Sequence, residues 1–126
     1  MTILGLGVDV VEINRFKKIK NNKKIIKRIF TTYENRYCEN KNKILCFAKR
    51  FAAKEAFVKA LGTGFRDEIN LSNIEIRNSK LGMPSIVISK FLKKKIIKKF
   101  KLKKFKVFLS ISDEKNYAIA NVIITK

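Results

Sequence analysis

The chain has 126 residues, with Lys+Arg 30 against Asp+Glu 10, a formal charge of +20, and no histidine. Length and composition predict one domain, residues 1–126, able to bury about two-thirds of its unfolded surface without disulfides or a structural metal. The 46% hydrophobic fraction excludes a disordered basic tail. The missing histidine excludes Ser-His-Asp and Cys-His nucleophile systems and any zinc site that uses histidine.

Ile3 to Val11 is an apolar, β-branched run broken by Gly5, Gly7 and Asp9. It predicts a strand whose glycines let another backbone approach closely. From Glu12 the period becomes helical, with Ile13, Phe16 and Ile19 on one stripe, and after Asn21-Asn22 a second helical piece covers about 24–30. Thr31-Thr32 offers an N-cap, with Glu34 and Asn35 in the first turn, for a short helix ending near Cys38. The longest predicted helix runs from Ile44 to Leu61, where Gly62 stands in the position of an αL cap. Short strands are predicted at 71–77 and 85–88 around a Gly82-Met83-Pro84 turn, and Ser89 caps a lysine-rich helix over 90–99. Alternating strands at 106–112 and 117–125 join through a hairpin at 113–116. The class is α+β, with helices packed on an antiparallel sheet.

The charge is concentrated. Residues 17–28 hold seven basic residues and no acid, and residues 90–106 hold ten lysines and no acid. Such stretches suit a phosphate-backbone grip, so a basic nucleic-acid-binding module is one reading. Leu92, Ile96 and Phe100 form an i, i+4, i+8 stripe among lysines, which leaves a membrane-surface reading open as well. Against both stands composition: lysine, isoleucine and asparagine are abundant enough that many surface lysines need no function. No helix-turn-helix, RNP or zinc-finger pattern is present, and no apolar run approaches the ~20 residues of a membrane helix. The N-terminal segment reads as neither a signal nor a transit peptide. Cys38 and Cys46 are too far apart for a CxxC motif, and the expectation is two free thiols in a soluble, cytoplasmic protein.

Residues 48–62 carry the chemistry. Ala48, Ala52, Ala56 and Ala60 make an i, i+4 row of small side chains against which another element can pack. Phe51, Glu55 and Lys59, with Gly62 one step on, form the neighbouring row. On spacing alone Glu55 and Lys59 read as a surface i, i+4 pair contributing about 0.2–0.5 kcal/mol. Gly62-Thr63-Gly64 follows its helix and lacks Gly-Lys-Ser/Thr, so it is no P-loop. Asp9 shifts the balance. A carboxylate in an apolar strand is costly to bury unless paired or bound to a metal. Asp9 with Glu55 would form an all-oxygen pair suited to Mg²⁺, which takes one or two carboxylates plus water and substrate phosphates.

Three segments, GLGVDVVEINRF, FAAKEAFVKALGTG and SISDEKNYAIA, occur in that order. With Phe30-Thr31, Glu34, Tyr37, Asn73–Ile76 and Gly82-Met83-Pro84, they cover essentially the whole chain. The sequence thereby resembles the holo-acyl-carrier-protein synthases, the small bacterial-type 4′-phosphopantetheinyl transferases. The resemblance implies transfer of the phosphopantetheine arm of coenzyme A to a serine of an acidic acyl carrier protein, with release of adenosine 3′,5′-bisphosphate, in support of fatty acid biosynthesis. It implies Asp9 and Glu55 as Mg²⁺ ligands, Lys59 for the pyrophosphate, and Arg50 for a phosphate or a trimer contact. Phe51 and Gly62–Gly64 would line the coenzyme pocket, with Ser112 also at the coenzyme, and Glu55 would take the serine proton. The family is a homotrimer with sites between subunits; from the missing motifs and apolar run, no specific nucleic-acid binding and no membrane insertion are expected. Arg15 matches its carrier-docking helix, where Lys17, Lys18 and Lys20 extend the positive surface. One departure stands out: the family usually has Ser-His where this chain has Ser112-Asp113, and the expectation is that Asp113 turns away from the phosphates.

Overall fold

The computed structural model describes residues 1–62 and 69–126. Strand β1 (Ile3–Glu12) leads through a single 3₁₀ turn, Ile13–Arg15, into α1 (Phe16–Ile19), then α2 (Lys23–Ile29), α3 (Thr32–Glu39) and the long α4 (Lys43–Leu61). A second 3₁₀ turn, Leu71–Asn73, precedes β2 (Ile74–Asn78) and β3 (Pro84–Ile88), followed by α5 (Lys90–Phe100), β4 (Lys106–Asp113) and β5 (Tyr117–Thr125). One antiparallel sheet has the order β1-β5-β4, and β2 with β3 makes a separate two-stranded ribbon. The expected α+β architecture is thus present.

Helix α4 lies against the β1–β5 part of the sheet, and the small-residue row explains how it gets there. A Cβ placed on Gly7 would stand 1.9 Å from the Ala56 carbonyl oxygen, and one on Gly5 1.8 Å from that of Ala60. Strand and helix therefore touch backbone to backbone, with alanine on one side and glycine on the other. Ala48, Ala52, Ala56 and Ala60 are all buried, facing Ala118, Ala120 and Val122 of β5 in the same core. Phe16, on the predicted Ile13–Ile19 stripe, is buried against Phe30 and Phe51, and Phe30 stacks on Phe47 at 4.5 Å.

The helix ends follow their capping chemistry. Asn22, Thr31, Asn42 and Ser89 each accept a hydrogen bond from a first-turn N–H with the side chain, satisfying donors the helix leaves over. Gly62 does adopt a positive φ, but with φ 90° and ψ 173° it lies outside the expected αL cap, in a region open essentially to glycine. Residues 71–73 form a turn rather than the start of a strand. Their backbone is claimed locally, with Asn73 N–H bonded to Asn70 O and Asn73 O accepting from Ser89 N.

Two expectations are corrected. Cys38 and Cys46 are not free thiols but a disulfide, with Cα atoms 5.6 Å apart. Eight residues of continuous helix would separate them by about 12 Å, yet the turn at 40–42 between α3 and α4 folds that spacing back on itself. The Leu92–Ile96–Phe100 stripe faces the interior: Leu92 and Ile96 are buried and Phe100 is half-buried against the core. It is therefore not an apolar face offered to a membrane. Among the described residues no helix is long and apolar enough to cross one.

Candidate active site

The site is built where β1 crosses α4. Asp9 lies on the same face of β1 as Gly5 and Gly7, two residues beyond the contact with Ala56, and so it faces the helix. Lys59 Nζ sits 2.9 Å from Asp9 Oδ1 and 3.1 Å from the Val8 carbonyl oxygen. Glu55 is one turn earlier on the same helix face as Lys59 and half-buried. The strand thus gives Lys59 a partner, Asp9, that spacing along the helix did not suggest.

Asp9 Oδ2 is buried and has no hydrogen-bond partner. A buried carboxylate oxygen left open is costly, by about 1–3 kcal/mol or more for a charged group. The open atom is a hard oxygen donor beside a second carboxylate-bearing helix turn, which fits Mg²⁺. Among the described residues no group of three or more Asp, Glu, Cys or His could hold a metal ion. Two carboxylates from the chain, with substrate phosphates completing the shell, is the donor set Mg²⁺ ordinarily accepts.

A second cluster lies toward the start of α4. Arg50 is only 4% exposed. Its guanidinium lies 4.3 Å from the centroid of the Tyr37 ring. Nη2 donates to Asn78 Oδ1 (2.5 Å) and Nη1 to Cys46 Sγ (3.3 Å), while buried Nε has no partner. Burial lowers the Arg50 pKa, opposed mainly by the charge of Glu34. This cation borders a cavity of about 300 Å³ lined by Tyr37, Lys49, Asn78, Pro84 and Ile111 among others. Asp113 is turned to Lys49 at 3.2 Å. Asp113 and Asp9 stand two strands and two register steps apart, about 12 Å by strand spacing.

Phe51 joins this helix to the segment around Arg15 and Phe16: its ring packs on Phe16 at 5.5 Å, and the Arg15 guanidinium lies 5.7 Å from its centroid. Arg15, Lys17 and Lys18 are exposed, Lys20 half-buried. Of the remaining predicted site residues, Gly62 caps α4 near Lys59, and Gly64 lies outside the described residues. Ser112 is exposed and pairs with Ile119, on the sheet face away from α4. Within one chain it is not brought together with Asp9 or Arg50.

Sequence reasoning missed the pair that anchors this framework. Lys54 Nζ, fully buried, donates to Glu34 Oε1 (2.5 Å), Ile29 O (2.6 Å) and Leu71 O (3.1 Å). Glu34 also closes a capping box with Thr31 and accepts from Ile76 N at 2.8 Å. All three ammonium donors are satisfied, as a buried charge requires. Burial lowers the Lys54 pKa, opposed mainly by Glu34. The Thr31-x-x-Glu34 spacing was a visible cue to the capping box. Nothing local marked Lys54, which stands among alanines on a helix buried nearly all round.

Comparison with known proteins bears on this geometry. Residues 5–122 match the model of the 4′-phosphopantetheinyl transferase superfamily. A holo-[acyl-carrier-protein] synthase of Pelagibacter ubique is 50% identical over 127 residues, covering 100% of this chain and 99% of that one. Another, from Geotalea daltonii, is 40% identical, covering 98% and 99%. Among solved structures, a holo-(acyl-carrier-protein) synthase of Bacillus anthracis in complex with CoA (3′,5′-ADP) superposes with a TM-score of 0.81 at 33% identity, covering 100% and 99%. The Neisseria meningitidis enzyme superposes with a TM-score of 0.84 at 34% identity, covering 99% and 100%.

Proposed function

The chain belongs to the holo-acyl-carrier-protein synthases of the 4′-phosphopantetheinyl transferase superfamily, and on that premise we propose that it moves the phosphopantetheine arm of coenzyme A onto a serine of acyl carrier protein, in support of fatty acid biosynthesis in the cytoplasm. The observation that carries the site assignment is the Asp9–Lys59 contact with its open carboxylate oxygen, Asp9 Oδ2.

Asp9 and Glu55 would hold Mg²⁺, which when bound neutralises charge on the pyrophosphate. Lys59, already at the strand and 43% exposed, binds and orients the same pyrophosphate as a point charge. Glu55 accepts the proton of the carrier serine as its oxygen attacks phosphorus and adenosine 3′,5′-bisphosphate leaves. Arg50, buried with Nε unpartnered, supplies a fixed cation for a coenzyme phosphate, and Phe51 with Gly62 lines the coenzyme pocket. Arg15 with Lys17, Lys18 and Lys20 forms the surface for an acidic carrier protein, which charge steers and salt weakens.

The assembly proposed is a homotrimer. Its support is the outer face of the main sheet, where Leu6, Val8, Val10, Phe108 and Ile123 are exposed together, although solvated sheet faces are ordinarily polar. Ser112 stands on that same face, so its place at a coenzyme would be in a site completed by a neighbouring copy.

The test is intact-mass analysis of apo-acyl carrier protein incubated with the enzyme, coenzyme A and Mg²⁺. One phosphopantetheine arm should be added per carrier. No added mass, or full activity retained by both Asp9→Ala and Glu55→Ala, would overturn the reading.

A further inference from the structure

We propose that the outward face of α5, with the segment that follows it, is a docking surface for an anionic phospholipid bilayer, on which the protein adsorbs by charge without inserting. Residues 90–106 take no part in the transferase reading above, so the two stand or fall separately.

Folding sorts this segment into two faces. Leu92 and Ile96 are buried, and Ile97 and Phe100 are half-buried. Every other position of the eleven-residue helix is lysine, except Phe91. Lys90, Lys94, Lys98 and Lys101 stand at i, i+4, i+8 and i+11, an exposed row about 16 Å long. Among the described residues none of these four forms an ion pair. Lys103, Lys104 and Lys106 continue the exposed charge, and no acid occurs from 90 to 106. An abundance of lysine in the chain does not by itself produce this order. Like charges at i, i+4 destabilise a helix, and a cation in the first turn opposes the helix dipole. The row therefore costs α5 stability, which the buried seam offsets.

Side-chain chemistry selects a bilayer over a nucleic acid. All ten cations of 90–106 are lysine, a point charge that senses a field; arginine, whose fork grips phosphates and base edges, is absent. Phe91 is 62% exposed and shares the helix face of Lys94 and Lys98. A duplex backbone offers a lone phenyl ring no apolar partner, and Lys95 Nζ stands 5.3 Å from the ring centroid, over a face on which a base would stack. The headgroup region of a membrane accepts an aromatic ring with lysines around it, and about four to eight basic residues on one helix suffice to hold an anionic surface. α5 joins β3 to β4, and β4 is the sheet edge opposite β1. A bilayer under α5 thus lies at the far edge from the strand that carries Asp9.

The experiment is co-sedimentation of the full chain with vesicles of phosphatidylcholine alone or mixed with phosphatidylglycerol, at low and high salt. Two variants lose the same charge: Lys90→Gln/Lys94→Gln/Lys98→Gln on α5, and Lys23→Gln/Lys24→Gln/Lys27→Gln on α2 as the control. Thermal melts should show both folded. The wild type should bind only the vesicles containing phosphatidylglycerol, and salt should release it. The α5 variant should bind about a hundredfold more weakly, about fivefold for each lysine at the surface, and the α2 variant less than about tenfold. Phe91→Ser should weaken binding a few-fold at either salt concentration. No binding, equal losses in the two lysine variants, or no effect of Phe91→Ser would overturn the proposal. An α5 variant that loses duplex DNA but keeps the vesicles would make the face a nucleic-acid surface and equally overturn it.

Discussion

Replacing Gly7 by alanine adds one methyl group at the contact on which the site depends. Its Cβ would lie 1.9 Å from the Ala56 carbonyl oxygen and 2.8 Å from the Ala60 nitrogen, where ordinary contact begins at 3.4 Å. The shortfall of about 1.5 Å is against helix backbone, which no rotamer change relieves, so α4 must move off β1. Overpacking of a core typically costs about 1–3 kcal/mol, and this case belongs at the top of that range. A domain with about 5–15 kcal/mol of stability still folds under such a load. The displaced helix, however, carries Glu55 and Lys59 away from Asp9. The urea midpoint should therefore fall by the equivalent of about 3 kcal/mol, and transferase activity of the folded protein should drop at least about tenfold, since small misplacements of reacting groups are expensive. Gly82→Ala is the control. It has open space around it and φ +90°, so only the left-handed backbone cost of about 1–2 kcal/mol applies to its stability. A Gly7→Ala protein of wild-type stability and activity would refute the close-packing argument.

Two further outcomes follow from the buried groups. Burial holds the Lys54 ammonium below the ordinary lysine value of about 10.4, against the attraction of Glu34. Between that lowered value and 10.4 the unfolded chain binds more protons than the folded one, so this contribution to unfolding free energy rises with pH through the window and is flat below it. Wild-type stability minus that of Lys54→Met, measured by urea melts from pH 7 to 10, should climb at the alkaline end; a falling difference would contradict the sign. At neutral pH the same variant should lose about 3–5 kcal/mol, because Glu34 is left buried without its cation. Reduction of the Cys38–Cys46 bond, whose partners are eight residues apart, should cost about 2–3 kcal/mol from loop entropy, seen as a lower urea midpoint with dithiothreitol that Cys38→Ser does not show.

What could be read along the chain was whatever depends on neighbours in sequence. Caps at Thr31 and Ser89, the alternation of β4 and β5, and the rows of glycine on β1 and alanine on α4 are local chemistry, and each left its mark in residue order. The ordered motifs likewise carried the family resemblance, and with it Asp9, Glu55 and Lys59 as candidates. Tertiary structure alone decided the pairings between distant residues. It brought Lys59 to Asp9, buried Lys54 against Glu34, closed a disulfide where free thiols were expected, and set Asp113 against Lys49. The physical reason is that a charge declares its partner only when folding removes water from around it. The +20 charge that opens the sequence says only that a partner would be an anion; the fold decides where single cations are held, Arg50 buried over Tyr37, Lys59 on Asp9 and Lys49 on Asp113.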